Sequence, residues 1–218
     1  DIRQGPDGCA YVLDWSDIGE CHEHNGVHRN SGRIYRISHG TVEKVSFEDL
    51  TAPLTPESME RLLRLDNPWW ERQMRVRLHQ GEAPQGGAEF LRARMLDTTE
   101  PVEARLRALL ALEAVWGAQG VSGREALLLR LLDDASEHAR VWGLRLLLDD
   151  RALDAGDGRV RMDDAKLEEP IKARLVRMAK EDDSALVRLF LASAMQRLPL
   201  SQCGNLALAL LSHKEDEG

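Results

Sequence analysis

The feature that most restricts this chain is a helical design that returns along it. The stretch Glu100–Trp116, EPVEARLRALLALEAVW, sets Val102, Leu106, Leu109, Leu110, Leu112 and Val115 at helical spacing, so they form one broad apolar stripe. Pro101 suits a first helical turn, where its missing N–H leaves no bond unmade, and Gly117 and Gly120 mark the far end. Aligned on arginine, the segments WERQMR, EARLRA, HARVWG and LVRLFL bring Arg72, Arg105, Arg140 and Arg188 into register, in steps of 33, 35 and 48 residues. Such a period, with two helices per unit, predicts an α-solenoid. No helix pair buries its apolar face alone there, and stacking supplies the core.

From Thr55 onward the signals are helical. Thr55-Pro56-Glu57-Ser58 reads as an N-cap with proline at the first position and opens a helix to about Leu65. Asn67-Pro68 opens the next helix, which ends at Gly81, and a Gly/Pro loop then leads to a short helix near Ala88–Leu96. After the central helix come Ser122–Asp133 with Ser136–Leu148, and Asp164–Lys180 with Asp183–Leu198. The polar insertion Asp149–Asp164 accounts for the long last step. Ser201–Ser212 is a terminal helix, followed by a charged tail expected to fray. The registered arginines are expected to bridge to acids in adjacent turns or repeats, and the small residues Ala108, Gly143 and Ala192 to let helices approach. Trp69, Trp70, Trp116 and Trp142 sit on helices, where packing between repeats is the natural role.

Residues 1–50 differ and are read as a separate β segment, with the helical domain spanning 51–218. Pro6-Asp7-Gly8 predicts a tight turn leading into a strand, Ala10–Trp15. Arg33–Ser38 alternates as a second strand, and Val42–Phe47 is expected to add a third. Two or three strands are marginal alone, and Tyr11, Val12, Leu13, Ile34, Tyr35 and Ile37 give this small sheet apolar surface on both faces. One layer of helices covers only one of them, so the other is expected to lie open or pair with further strands.

The polar loop between these strands holds the candidate chemistry. Cys21, His22, His24 and His28 are residue types that zinc, copper or iron would take, so a metal ion there is one reading. The spacing matches no zinc finger and lacks a partner Cys-x-x-Cys, and a loop hydrogen-bonded to itself is the other reading. Asp14, Asp17, Glu20 and Glu23 offer oxygen ligands for calcium without the EF-hand pattern. Cys9, Cys21 and Cys203 make no disulfide framework, and a Cys9–Cys21 bridge stands beside two reduced thiols as alternatives. There is no Cys-x-x-Cys-His for covalent haem, no P-loop, no dinucleotide fingerprint and no nucleophile elbow.

Composition narrows the partners. With 43% hydrophobic and 30% charged residues the chain can build a real core, and a net charge of −8 argues against a phosphate backbone as ligand. No apolar run is long enough for a transmembrane span. Asp1 opens directly into a structured-looking turn with no initiator Met and no signal peptide, as a piece of a longer protein would.

Two resemblances follow from these residues. An acidic start, Val-Arg and a small residue in the second helices make residues 55–212 similar to the HEAT-repeat family, of armadillo-type α-α superhelices. Gly5, Pro6, Asp7, Gly8, Tyr11, Asp14, Trp15, Gly32, Arg33, Ile34 and Tyr35, followed by NPWWERQ, resemble a last β-propeller blade and the helical entry after it. That order is similar to the planctomycete-type dehydrogenase-like proteins, where a sorbosone-dehydrogenase-like propeller precedes HEAT repeats and often a cytochrome c domain. The resemblance implies a mostly α fold, a HEAT-like superhelix with a short N-terminal β-strand remnant. It also implies a scaffold or protein-interaction role, with the missing propeller blades and a cytochrome c domain as partners, in the periplasm or cell envelope. No cofactor is expected in this chain beyond a metal ion at the His-rich loop. The rival reading is a fragment of a sugar or alcohol dehydrogenase whose His-rich loop lines a cofactor site.

Overall fold

A computed structural model describes residues 1–14, 32–42, 44–119, 123–149 and 167–216. They are mostly helical, with one small antiparallel sheet. The chain forms two compact units, residues 1–120 and 121–218.

In the first unit, β1 (Ile2–Gln4), β2 (Ala10–Leu13) and β3 (Ile34–Ile37) pair in the order β1-β2-β3. Ile2 faces Val12, and Val12 faces Tyr35. β1 has no apolar alternation, so its sequence carries no strand signal; it is paired because the turn at Gly5–Gly8 folds it back onto β2. Gly8 sits at φ +77°, and the Gly5 N–H donates to the Cys9 carbonyl at 2.9 Å. A Cβ on Gly5 would lie 2.2 Å from the Tyr11 ring, so only glycine fits there. Ile2, Leu13, Ile34, Tyr35 and Ile37 are all exposed, as expected for a sheet with one face covered at most. Among the described residues 42 and 44–47 no strand forms: Phe47 instead opens a short helix, α1 (Phe47–Thr51). Cys9 is buried with a free thiol rather than a disulfide.

Next come α2 (Pro56–Arg64), α3 (Pro68–His79), α4 (Gly87–Leu96) and α5 (Val102–Gln119). Thr55 and Ser58 form a reciprocal capping box on α2. α5 is central, packing on α2, α3 and α4. Its Ala108, Leu109, Ala111, Leu112, Val115 and Trp116 are buried, whereas Val102, Leu106 and Leu110 are half-buried. The true stripe is thus rotated toward the alanines, because three helices rather than one press on it.

Asn67 joins the sheet to these helices. Its side-chain oxygen accepts from the Trp69 N–H at 3.0 Å, capping α3. Its amide donates back to the Gly5 and Pro6 carbonyls at 3.0 and 3.1 Å, and the Trp70 indole N–H donates to Pro6 at 3.0 Å. Turn and helix entry are therefore one hydrogen-bonded joint.

The second unit contains α6 (Arg124–Leu131), α7 (Glu137–Leu148), α8 (Glu169–Glu181), α9 (Ala185–Ala194) and α10 (Leu200–Leu210). α6 packs on α7, α7 on α9, and α8 on both α9 and α10. Gly143 lets α6 and α7 approach: a Cβ there would meet the Leu131 Cβ at 2.8 Å and the Leu128 carbonyl at 3.1 Å. Leu144, Leu148, Leu175, Val187, Leu191 and Leu206 anchor one buried cluster. Within the charged tail, Lys214–Asp216 forms a 3-10 turn whose Asp216 and Glu215 meet Arg188 and His213. Among the described residues no helix is long and apolar enough to cross a membrane.

Candidate functional site

Arginine at the fourth position of a helix is the recurring element. Arg105, Arg140 and Arg188 each occupy that place in α5, α7 and α9. Each reaches back to a carbonyl at or just past the end of the preceding helix: Arg105 to Met95 at 2.9 Å, Arg140 to Asp134 at 2.9 Å, Arg188 to Asp182 at 2.7 Å. A guanidinium there satisfies orphan acceptors and offsets the negative end of the helix dipole. Arg72 does not join them. The fourth residue of α3 is Glu71, which is buried beside Arg75 and Arg107, while Arg72 is exposed. A pattern of residue types cannot show a shift of one position, so the arginine register holds for three helices and fails at the first.

An aspartate completes the element, and the sequence carried its signal. Asp97-Thr98-Thr99, Asp134-Ala135-Ser136 and Asp182-Asp183-Ser184 share the pattern Asp-x-Ser/Thr. In each, the carboxylate accepts the backbone N–H two residues on at 3.0 Å, which sets the chain up to enter the next helix. Asp182 also takes both forks of Arg140 at 2.9 and 2.8 Å. Asp216 takes both forks of Arg188 at 2.6 Å. The expected bridging of registered arginines to acids is therefore present in α7 and α9.

The last of these pairs stands at the lip of a groove of about 700 Å³ between α9 and α10. Leu189 and Ala192 line it from α9 and Met195 from just past its end, with Ala207 and Leu210 from α10 and Leu211 at its C-cap. Leu189 is 63% exposed and Leu211 80%. His213 and Glu215 complete the lip with Arg188 and Asp216. The Nδ1 of His213 lies 2.7 Å from Glu215 and its Nε2 2.9 Å from the Ala179 carbonyl. Two acceptors face the ring, so only the imidazolium satisfies both, and the Glu215 contact leads in raising the His213 pKa. Asp216 is held below the usual carboxylate range by Arg188. Arg188, His213, Glu215 and Asp216 of the lip are thus each paired with a neighbour.

A second polar cluster supports the sheet. Burial alone would raise the Asp7 carboxyl; the Cys9 N–H, the Tyr11 hydroxyl at 3.0 Å and Arg36 at 2.8 Å outweigh it and lower the pKa to about 2. These contacts fasten the turn between β1 and β2.

The expected metal ligands Cys21, His22, His24 and His28 lie outside the described residues, as do Asp17, Glu20, Glu23 and Trp15. Among the described residues no group of three or more His, Cys, Asp and Glu is placed to hold a metal ion. Trp116 is buried as expected, whereas Trp69, Trp70 and Trp142 are half-buried, the last with the Arg145 guanidinium 4.3 Å above its ring.

Neither a protein-family model, nor a curated protein, nor a solved structure matches this chain.

Proposed function

We propose that this chain is a scaffold and protein-interaction module, a HEAT-like α-α superhelix that follows the last blade of a β-propeller in a dehydrogenase-like protein of the periplasm or cell envelope. The observation that carries the reading is the arginine at position four of α5, α7 and α9, each bound to a carbonyl at or just past the end of the helix before it. Repetition of one local device in successive helix pairs is what a stacked array needs and what a single catalytic site does not. Open apolar residues on all three strands support the propeller part, because a blade finds its cover on its neighbours. The Asn67 joint supports it too, since it holds the blade-like turn against the helical entry.

Blade complementation tests this reading. A recombinant sorbosone-dehydrogenase-like propeller lacking its last blade should be retained by the immobilised chain, and Ile34→Asp with Ile37→Asp should abolish retention. Both isoleucines are exposed, so the variant should still fold. A folded chain that retains no propeller would remove the blade assignment. Stoichiometric metal lost on Cys21→Ala, together with dye-linked sugar oxidation by the chain alone, would replace the scaffold by the dehydrogenase.

A further inference from the structure

We propose that the cleft between α7 and α9 binds a small organic monocarboxylate, its two oxygens taken by the guanidinium of Arg145. The site shares no residue with the α9–α10 groove and does not depend on the scaffold reading.

Arg145 differs from the arginines around it. Arg124, Arg140, Arg174 and Arg188 each meet a carbonyl or a carboxylate. Among the described residues Arg145 meets neither, and aromatic rings hold it instead. Its guanidinium carbon lies 4.3 Å from the ring centre of Trp142, three residues before it on α7, and 5.5 Å from that of Phe190 on α9. A ring face attracts the charge but supplies no oxygen acceptor, so the N–H fork stays available. Two rings on two packed helices also restrict the side chain, which reduces the rotamer freedom lost on binding.

The cleft that Arg145 lines encloses about 340 Å³, near the small end of the roughly 300–1,000 Å³ of small-molecule sites. The buried Leu144, Leu148 and Ala194 give it an apolar floor, and Ser193 and Gln196 add neutral donors at the rim. Asp149 is the one acid among the described residues that line it, and Arg197 answers that acid. One Arg197 N–H donates to the Asp149 carbonyl at 3.2 Å, and its guanidinium lies 3.6 Å from the carboxylate. Two cations against one carboxylate leave a single positive charge, carried by Arg145. That balance fits a carboxylate, whereas a phosphate monoester brings about two negative charges at neutral pH and would face Asp149. A planar carboxylate also matches the two-pronged donor geometry of arginine, and the floor asks for a short aliphatic body behind it. A free branched-chain acid and the carboxyl end of a peptide ending in leucine share this chemistry.

Two probes separate those sources: 4-methylpentanoate stands for the free acid and N-acetyl-leucine for the chain end. Each is titrated into the full chain and followed by NMR at the Arg145 Nε–H, the Trp142 indole N–H and the Ser193 amide. At least one should give saturable shifts at all three with a Kd of about 1 mM, and the tighter of the two names the source. Their neutral counterparts, 4-methylpentanamide and N-acetyl-leucinamide, should bind at least about tenfold more weakly. Because acid and amide are compared on the parent chain, this readout needs no variant. Arg145→Gln should weaken the acid at least about tenfold, and Arg145→Lys should recover part of the loss, since it restores the charge without the fork. Arg145 is exposed, so both variants should fold, and Arg130→Gln, an exposed arginine outside the cleft, should bind like the parent. Absence of saturable shifts with either acid, equal affinity for acid and amide, or unchanged binding by Arg145→Gln would overturn the proposal. So would tighter binding of phenyl phosphate, or shifts that leave the Trp142 indole unmoved.

Discussion

Replacing Arg140 by methionine is the most exacting perturbation of the repeated element. Methionine keeps most of the apolar stem and removes the guanidinium, so lost packing contributes little. Four contacts disappear: two to Asp182 at 2.9 and 2.8 Å, and two to the Asp134 and Ala135 carbonyls at 2.9 and 3.1 Å. The Asp182 side chain is only 7% exposed, so water cannot take the place of the lost cation, and the Ser184 N–H remains its partner. Orphaning a buried charge of this kind costs about 3–5 kcal/mol, whereas an exposed pair would cost under about 1 kcal/mol. With a urea m-value of about 1–3 kcal/mol/M, the unfolding midpoint of the second unit should fall by more than about 1 M. Hydrogen exchange of α8 and α9 peptides across the titration reports that unit specifically. Adding Asp182→Asn should recover part of the loss, because the amide oxygen still accepts from Ser184 while the stranded charge is gone. A midpoint unchanged at constant m, or a double variant less stable than Arg140→Met alone, would refute the reasoning. Arg72→Met is the matched control and should change stability by no more than about 0.5 kcal/mol.

Gly143→Ala should lower the melting temperature in a thermal scan: the crowding against Leu131 and the Leu128 carbonyl costs about 1–3 kcal/mol, and the gain in helix propensity returns only about 1 kcal/mol. Asn67→Ala should cost about 1–2 kcal/mol through the lost cap, and should speed amide exchange across residues 2–13 while leaving α8 and α9 unchanged. The folded His213 pKa is raised above its ordinary value of 6.5 by Glu215 and the Ala179 carbonyl, so its stabilisation is complete below about pH 6.5 and is lost as pH rises through the folded value. The protection of residues 211–216, taken relative to the base-catalysed exchange of an unstructured chain at the same pH, should therefore fall as pH rises beyond about 6.5 through the folded value in the parent chain but not in His213→Gln. Asp7 runs the other way: its contribution is present above its ordinary value of 3.8 and is lost as pH falls toward about 2, which acid titration of the Asp7 carboxyl by NMR would follow.

The sequence by itself determined where the described helices from α2 onward lie, though not α1. Thr55, Asn67 and Ser184 cap helices in the structure as their residue types require, and proline occupies the first turns of α2 and α3. Those signals are local: a cap or a first turn is settled within four residues, so one stretch of chain carries all the information. The Asp-x-Ser/Thr turns are equally local and equally readable. Tertiary structure alone decided which apolar face is covered. Leu189 and Val141 hold the same place after a registered arginine, yet one lies in solvent and the other in the core, because α9 covers α7. It also decided that Glu71 rather than Arg72 turns inward, since one residue of register rotates a side chain by about 100°. β1 became a strand only because a turn, itself held by Asn67 from more than sixty residues away, folds it against β2. Burial and strand pairing are properties of a neighbour, and a neighbour distant in the chain leaves no mark on the residues it covers.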